Sequence, residues 1–411
     1  MQRLYLFITC TGLLVASHGA SALAEDAAGT LAFESRADVA HQELSPDFCW
    51  FHPRVAPLPG FGRDGQPAVI MTIQKHLGVS DHYSGLYYLR SDDLGRTWTE
   101  PTEIPELAWR DGPNDETIAV CDVTPGWHDK SGKLLAVGIK LRYSPQGAQL
   151  LNEPRSHECA YATFDPQTNK WSGWNMLAMP ETDGKFYLVA PGCVQWLEQR
   201  DGTLLIPTYF KGPTGEDYKS TVLHCSFDGQ ELKYLGHGDE LAIEGGRGFV
   251  EPSLALFQGK YYLTLRNDDR AYVTTSQDGL HYGPVTAWTF DDGQELGSYN
   301  TQAHWLVHGE GLFLAYTRRG ANNDHIMRNR APIFVAQVDA DELTMLRQTE
   351  QAVLPERGVM LGNFGTTAIT PNESWVTDAE FIIGTKPHPR GADGTVWIGR
   401  VVWSKPNQLV K

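Results

Sequence analysis

Apolar residues in this chain recur in short runs and not along helical faces. After residue 40 the three-to-four spacing of an amphipathic helix is nearly absent. Runs rich in Val, Ile, Leu, Tyr and Trp are instead broken every eight to twelve residues by Gly, Asp, Asn or Pro. Segments 68–73, 86–90, 134–140, 204–209, 261–266 and 312–317 are examples. Several are joined by tight-turn chemistry, as in Gln199-Arg200-Asp201-Gly202 and Phe257-Gln258-Gly259-Lys260. The pattern predicts an all-β chain.

A larger repeat overlies the strands. Similar runs open near His52, Thr117, Gly192, Val250, Thr301 and Phe364, at intervals of about 50 to 75 residues. Each has an apolar strand, a Gly- or Asp-containing turn, a second strand ending in polar residues, and a third strand. Six such units predict a six-bladed β-propeller of four-stranded antiparallel blades. The last strand, 396–403, is expected to be completed by the early segment 30–33, which closes the ring. Two packed β-sandwich domains are the alternative architecture.

Composition agrees with many turns and few helices, since 41 Gly and 24 Pro stand among 411 residues. The chain carries 34 basic and 50 acidic residues, a net charge of −16, which argues against nucleic acid or an anionic membrane as a general partner. The N-terminus reads as a cleavable export signal over residues 1–24. Arg3 precedes an apolar run at 4–15, and Ala22-Leu23-Ala24 forms a small-residue cleavage pattern. Cleavage after Ala24 removes one basic residue and leaves a single domain, 25–411, of net charge −17, in the periplasm or outside the cell. The five cysteines left, Cys49, Cys121, Cys159, Cys193 and Cys225, form no C-x-x-C pair; they allow at most two bridges with one free thiol, and most are expected to be buried as small hydrophobes. No segment has metal-ligand spacing, and no cofactor is implied.

Ser91-Asp92-Asp93-Leu94-Gly95-Arg96-Thr97-Trp98 fits the pattern S-x-D-x-G-x-T-W. An Asp carboxylate there can accept backbone N–H bonds while Gly takes the strained position. Weaker copies occur at Ser226-Phe227-Asp228-Gly229 with Tyr234, at Ser276-Gln277-Asp278-Gly279 with Tyr282, and at Asp165 with Trp171. The full motif, in register with the repeat, resembles the Asp box of the sialidase superfamily. That resemblance implies three arginines clamping a substrate carboxylate. It also implies an Asp that protonates the leaving oxygen, and a Glu that activates a late Tyr nucleophile.

By this resemblance, Arg54 in His52-Pro53-Arg54-Val55-Ala56-Pro57 is the first clamp and Asp81 the acid. Glu251, at the end of Gly245-Gly246-Arg247-Gly248-Phe249-Val250-Glu251, is the base, and Arg266 is the second clamp fifteen residues on. Arg330 is the third, with Arg328, Arg319 and Arg318 competing. The late Tyr is missing. Its place reads Leu361-Gly362-Asn363-Phe364-Gly365, and no Tyr follows Tyr316. The polar connection 318–330, with four Arg and His325, is a local cationic patch suited to an acidic sugar.

The expected activity is hydrolytic release of a terminal acidic sugar from a glycan. Two alternatives stand beside it. One is a polysaccharide lyase acting on uronates, with His304 or Tyr299 taking the proton. The other is a carbohydrate-binding propeller in which Trp50, Trp109, Trp127 or Trp305 stacks on sugar rings.

Overall fold

The computed structural model describes residues 29–410 except 79–80, 152–156, 182–183, 216 and 362. Residues 1–24, expected from the sequence to be an export signal, lie outside the described residues. The chain forms six antiparallel sheets arranged as blades round a central axis, a six-bladed β-propeller. The innermost strands are Cys49–Leu58, Thr117–His128, the interrupted pair Leu188–Ala190 and Leu197–Glu198, then Val250–Phe257, His304–His308 and Gly365–Thr370. These starts follow the repeat read from the apolar runs. Among the described residues no helix is long and apolar enough to cross a membrane.

The ring closes through the chain's two ends. Phe33–Gln42 pairs antiparallel with Thr395–Trp403, from Phe33 opposite Trp403 to Gln42 opposite Thr395. The closing strand is therefore longer than the expected segment 30–33 and starts three residues later. Its sequence, FESRADVAHQ, is largely polar because it is the outermost strand of its blade and one face meets water. A search for apolar runs stops at Phe33. Arg400 anchors the seam, with its Nε 2.5 Å from Asp38 Oδ2 and its Nη1 2.8 Å from Glu373 Oε2.

Apolar side chains fill the spaces between neighbouring sheets. One cluster joins Phe313 and Val335 of the fifth blade to Val376 and Trp403 of the sixth. Another joins Val137 and Tyr161 of the second to Ile206 and Leu223 of the third. Each sheet is thus apolar on both faces, which is why strand runs look continuous and not alternating. All five described cysteines are free and buried.

The turn at Ser91–Thr97 is held by a small hydrogen-bond cage. Asp93 accepts from Thr97 N at 2.9 Å, from Thr97 Oγ1 at 2.7 Å and from Ser91 Oγ at 3.0 Å. Gly95 has φ of 74°, and a Cβ there would meet the Trp375 ring of the sixth blade at 2.9 Å. The turn at Ser276–Leu280 repeats the arrangement, while Asp228 and Asp165 keep only bonds from backbone amides two and three residues on.

The Thr97 donors hold the Asp93 carboxyl down at about 2. A carboxylate depressed below its unfolded value stabilises the fold above that value, and the contribution is lost as pH falls towards 2. Asp93→Ala is expected to cost about 1–2 kcal/mol at pH 7 by urea unfolding. The gap from wild type should shrink below pH 4; a gap that stayed constant with pH would show that the charge contributes nothing.

Candidate active site

The inner strands enter the axis through a shared backbone device. His52, Asp122, Cys193, Glu251 and Asn363 have φ of 55°, 56°, 53°, 45° and 69°, left-handed values that non-glycine residues rarely adopt. In three of these blades strand pairing is broken at that point, between Phe51 and Arg54, Cys121 and Thr124, and Val250 and Ser253. Such a bulge re-aims one side chain without ending the strand. Five blades therefore each place one polar side chain at the head of the axis, and Gln302 serves from the fifth.

These groups bond to one another round the axis. His52 Nε2 lies 3.0 Å from Asp122 Oδ1 and 2.6 Å from Asn363 Nδ2. The Gln302 amide nitrogen, turned toward its acceptors, reaches Glu251 Oε2 and Asn363 Oδ1 at 3.2 Å each. Cys193 N donates to Asp122 O at 3.1 Å. One nitrogen and one oxygen of His52 and Asp122 and the Cys193 sulfur all lie within 4.8 Å of one another.

Above this ring is a cavity of about 450 Å³, bordered by Asp81, Asp122, Glu251, Arg247, Arg266, Arg328 and Arg330. Arg266 Nη1 donates to Glu251 Oε1 at 2.5 Å, and its Nη2 to Asn300 Oδ1 at 2.6 Å. Arg330 Nη2 donates to Asn300 O at 2.5 Å, so Asn300 ties the two guanidiniums together. Arg247 is occupied by Asp268 at 2.9 Å. Asp81 accepts from Tyr83 Oη at 3.3 Å and is otherwise exposed.

Burial and the neighbouring Glu251 charge push the Asp122 carboxyl up to about 7, against the opposing pull of Arg54. Burial also drives the His52 imidazole well below its ordinary value, with Arg54 reinforcing it. Arg330 is pushed down by burial and by Arg266.

Five of the seven residues expected from the sequence, Asp81, Glu251, Arg266, Arg328 and Arg330, therefore line one cavity. Arg54 does not border it. His52 of the same blade joins the axial ring without bordering the cavity, and Arg54, two positions on and only 2% exposed, lies beneath the ring. It borders a second cavity of about 300 Å³ that follows the axis. Arg319 is also elsewhere: its guanidinium stacks 3.7 Å from the Tyr299 ring on an outer cleft, and Arg318 there is bonded to Glu350 at 2.6 Å. The connection 318–330 thus contributes only its last part to the cavity.

The other sequence candidates are likewise sorted by place. His304 is buried against Ser253 Oγ at 2.7 Å, and Tyr299 is bonded to Asn329 at 2.9 Å; neither borders the main cavity. Trp50 and Trp305 are core residues. Trp127 borders the axial cavity, and Trp109, 41% exposed, stacks on His82 with ring centres 5.5 Å apart.

Sequence reasoning missed His52, Asp122, Cys193 and Asn363. One signal was present. His52-Pro53 and Glu251-Pro252 hold the same place in their units, and aligning the units on that place reaches Asp122 and Cys193.

No protein-family profile and no curated protein matches the chain. Solved structures match it by shape. A protein of unknown function from Dyadobacter fermentans is 16% identical with a TM-score of 0.63, over 90% of this chain and 99% of that one. A Hadza microbial sialidase is 12% identical with a TM-score of 0.60, over 88% of this chain and 66% of its own. A Trypanosoma rangeli sialidase variant displaying trans-sialidase activity is 14% identical with a TM-score of 0.58. That alignment covers 90% of this chain but spans only 59% of the trypanosomal one. The fold is therefore sialidase-like.

Arg54 depends on a missing side chain. A Cβ at Gly365 would stand 2.7 Å from Arg54 Cγ. Gly365→Ala is expected to destabilise by about 1–3 kcal/mol in urea unfolding. An unchanged midpoint would mean that Arg54 moves aside freely.

Proposed function

We propose that this protein is an exported glycoside hydrolase that releases a terminal acidic sugar, sialic acid or a close analogue, from glycans. The observation that carries this reading is a cavity lined by Arg266, Arg328 and Arg330 together with Glu251 and Asp81, in a chain of net charge −16. Guanidiniums are suited to a planar carboxylate, and Asn300 holds two of them in fixed relation. The sialidase-like fold supports the same reading, as does the placement of Glu251 and Arg266 as a bonded pair.

In this reading Arg266 and Arg330 bind the sugar carboxylate, with Arg328 at the rim. Asp81 protonates the leaving oxygen. Glu251, held by Arg266, takes a proton from the attacking group. Asn363 occupies the place expected for a nucleophilic Tyr, and an amide cannot form a glycosyl ester or ether in the same way. In this reading water, and not Tyr209 or Tyr218 of the cavity wall, is the attacking group, and no covalent sugar intermediate forms.

The test is release of the aryl group from an aryl sialoside by the chain beginning at Glu25. Glu251→Gln and Asp81→Asn are expected to lower kcat about 100- to 10,000-fold. Arg266→Met is expected to lower kcat/KM about 10- to 100-fold, and Arg319→Ala to leave both constants within about twofold of wild type. Folded protein with no turnover, or turnover indifferent to Glu251→Gln, would overturn the proposal.

A further inference from the structure

Beneath the cavity lies a group of side chains that the acid, base and clamp roles leave unused, and of these Asp122 borders the cavity itself. His52, Asp122 and Cys193 come from three successive blades and are separated by about seventy residues each in sequence. All three have left-handed backbones, with a bulge at His52 and at Asp122, and one donor atom from each falls within 4.8 Å of the other two. Ligands at zinc distances of about 2.0–2.3 Å lie roughly 3.5 Å apart in a tetrahedral set, so a small contraction completes three corners.

A second observation points to the same place. Arg54 is buried at 2% exposure beside Cys193 and Asp122, and its Nε and Nη1 have no hydrogen-bond partner among the described residues. Unpartnered buried guanidinium donors are costly. Both donors are available to ligating groups placed beside them. Outer-shell donors to ligating groups are a regular part of such sites. The close approach of Arg54 to the ring is permitted by Gly365, where any Cβ would collide with it.

We propose that His52, Asp122 and Cys193 bind one zinc ion, with Arg54 as the outer-shell partner of the thiolate. A nitrogen, an oxygen and a sulfur donor select a borderline divalent ion over Mg²⁺ or Ca²⁺. The carboxylate and thiolate together neutralise its charge. Three protein ligands leave a fourth position for water, the arrangement of a catalytic zinc and not of a closed structural one. Of the three ligands Asp122 borders the cavity beside Glu251, so the open position is reached from the substrate space past Asp122.

The use of that water rests on the hydrolase reading above. The zinc-bound oxygen attacks the anomeric carbon while Glu251 accepts its proton. The glycosidic C–O bond breaks, and the leaving oxygen takes the proton of Asp81. The metal then supplies the nucleophile that the missing Tyr does not.

Binding is tested without any substrate. The chain from Glu25, stripped with chelator and dialysed, is titrated with Zn²⁺ by calorimetry and with Co²⁺ by absorption spectroscopy. One ion per chain is expected, with a thiolate-to-cobalt charge-transfer band in the near ultraviolet and the intense visible bands of a four-coordinate ion. Cys193→Ser should abolish the charge-transfer band, His52→Gln should weaken binding at least tenfold, and Cys225→Ser should leave both unchanged. Absence of stoichiometric binding by wild type overturns the site whatever the variants do. A six-coordinate cobalt spectrum, or a charge-transfer band that survives Cys193→Ser, does the same. Sialoside turnover by the stripped protein would overturn the zinc role while sparing the hydrolase reading. Stoichiometric binding with no turnover on any acidic glycan would spare the site and overturn that reading.

Discussion

Pairing of Phe33–Gln42 with Thr395–Trp403 joins the two ends of the chain, and the geometry of the cavity depends on it. The first and sixth inner strands meet at this seam, with His52 contributed from one side and Asn363 from the other, 2.6 Å apart. An open ring would let the sixth blade move away from the first, and the axial ring of polar groups would lose its continuity. The buried Arg400, bonded to both Asp38 of the closing strand and Glu373 of its neighbour, ties three strands of that blade together. The remaining cohesion is apolar and lies between blades, so each sheet depends on two neighbours to bury its faces.

Within that frame the site is built by repetition. One backbone irregularity, used in five of six blades, turns a strand residue into an axial one. A left-handed conformation at a non-glycine residue is costly, and it persists because the sheet on either side over-determines it. The repetition lets different side chains occupy equivalent places. His52, Asp122, Cys193, Glu251 and Asn363 differ in charge and chemistry but not in backbone role. The two halves of the cavity consequently differ in character. Glu251, Arg266 and Arg330 make a charged, ion-paired side, while Asp122 marks a side backed by the buried His52 and Cys193.

The electrostatics follow from that division. Arg266 is ion-paired with Glu251 through Nη1 and bonded to Asn300 through Nη2, and its Nε has no partner among the described residues. Arg330 is crowded by Arg266 and gains from any anion placed between them. Arg54 lies out of reach of such an anion and bears instead on the thiol and carboxyl beneath the floor. Two arginines of similar burial thus serve different partners because one sits two strand positions past the bulge and the other ends a connection at the cavity rim.

The fold was legible in the chain itself. Apolar runs punctuated by Gly and Asp, six unit starts and one complete S-x-D-x-G-x-T-W turn are local properties, and local hydrogen bonding and burial on two faces are enough to produce blades. Asp81, Glu251, Arg266, Arg328 and Arg330 were legible as well, since each lies at a strand end or connection that the repeat directs to the axis. Arg54 and Arg319 do not border the cavity. The bulge at His52 sets Arg54 beneath the axial ring, and the aromatic face of Tyr299 holds Arg319 on an outer cleft. The meeting of His52, Asp122 and Cys193 was illegible for a further reason: three residues about seventy positions apart become neighbours only when the ring closes. Sequence alone determined the strands, the blades and the charged residues near the axis. Tertiary structure decided which side chains share a volume, because in a propeller that is set by closure and backbone handedness and not by spacing along the chain.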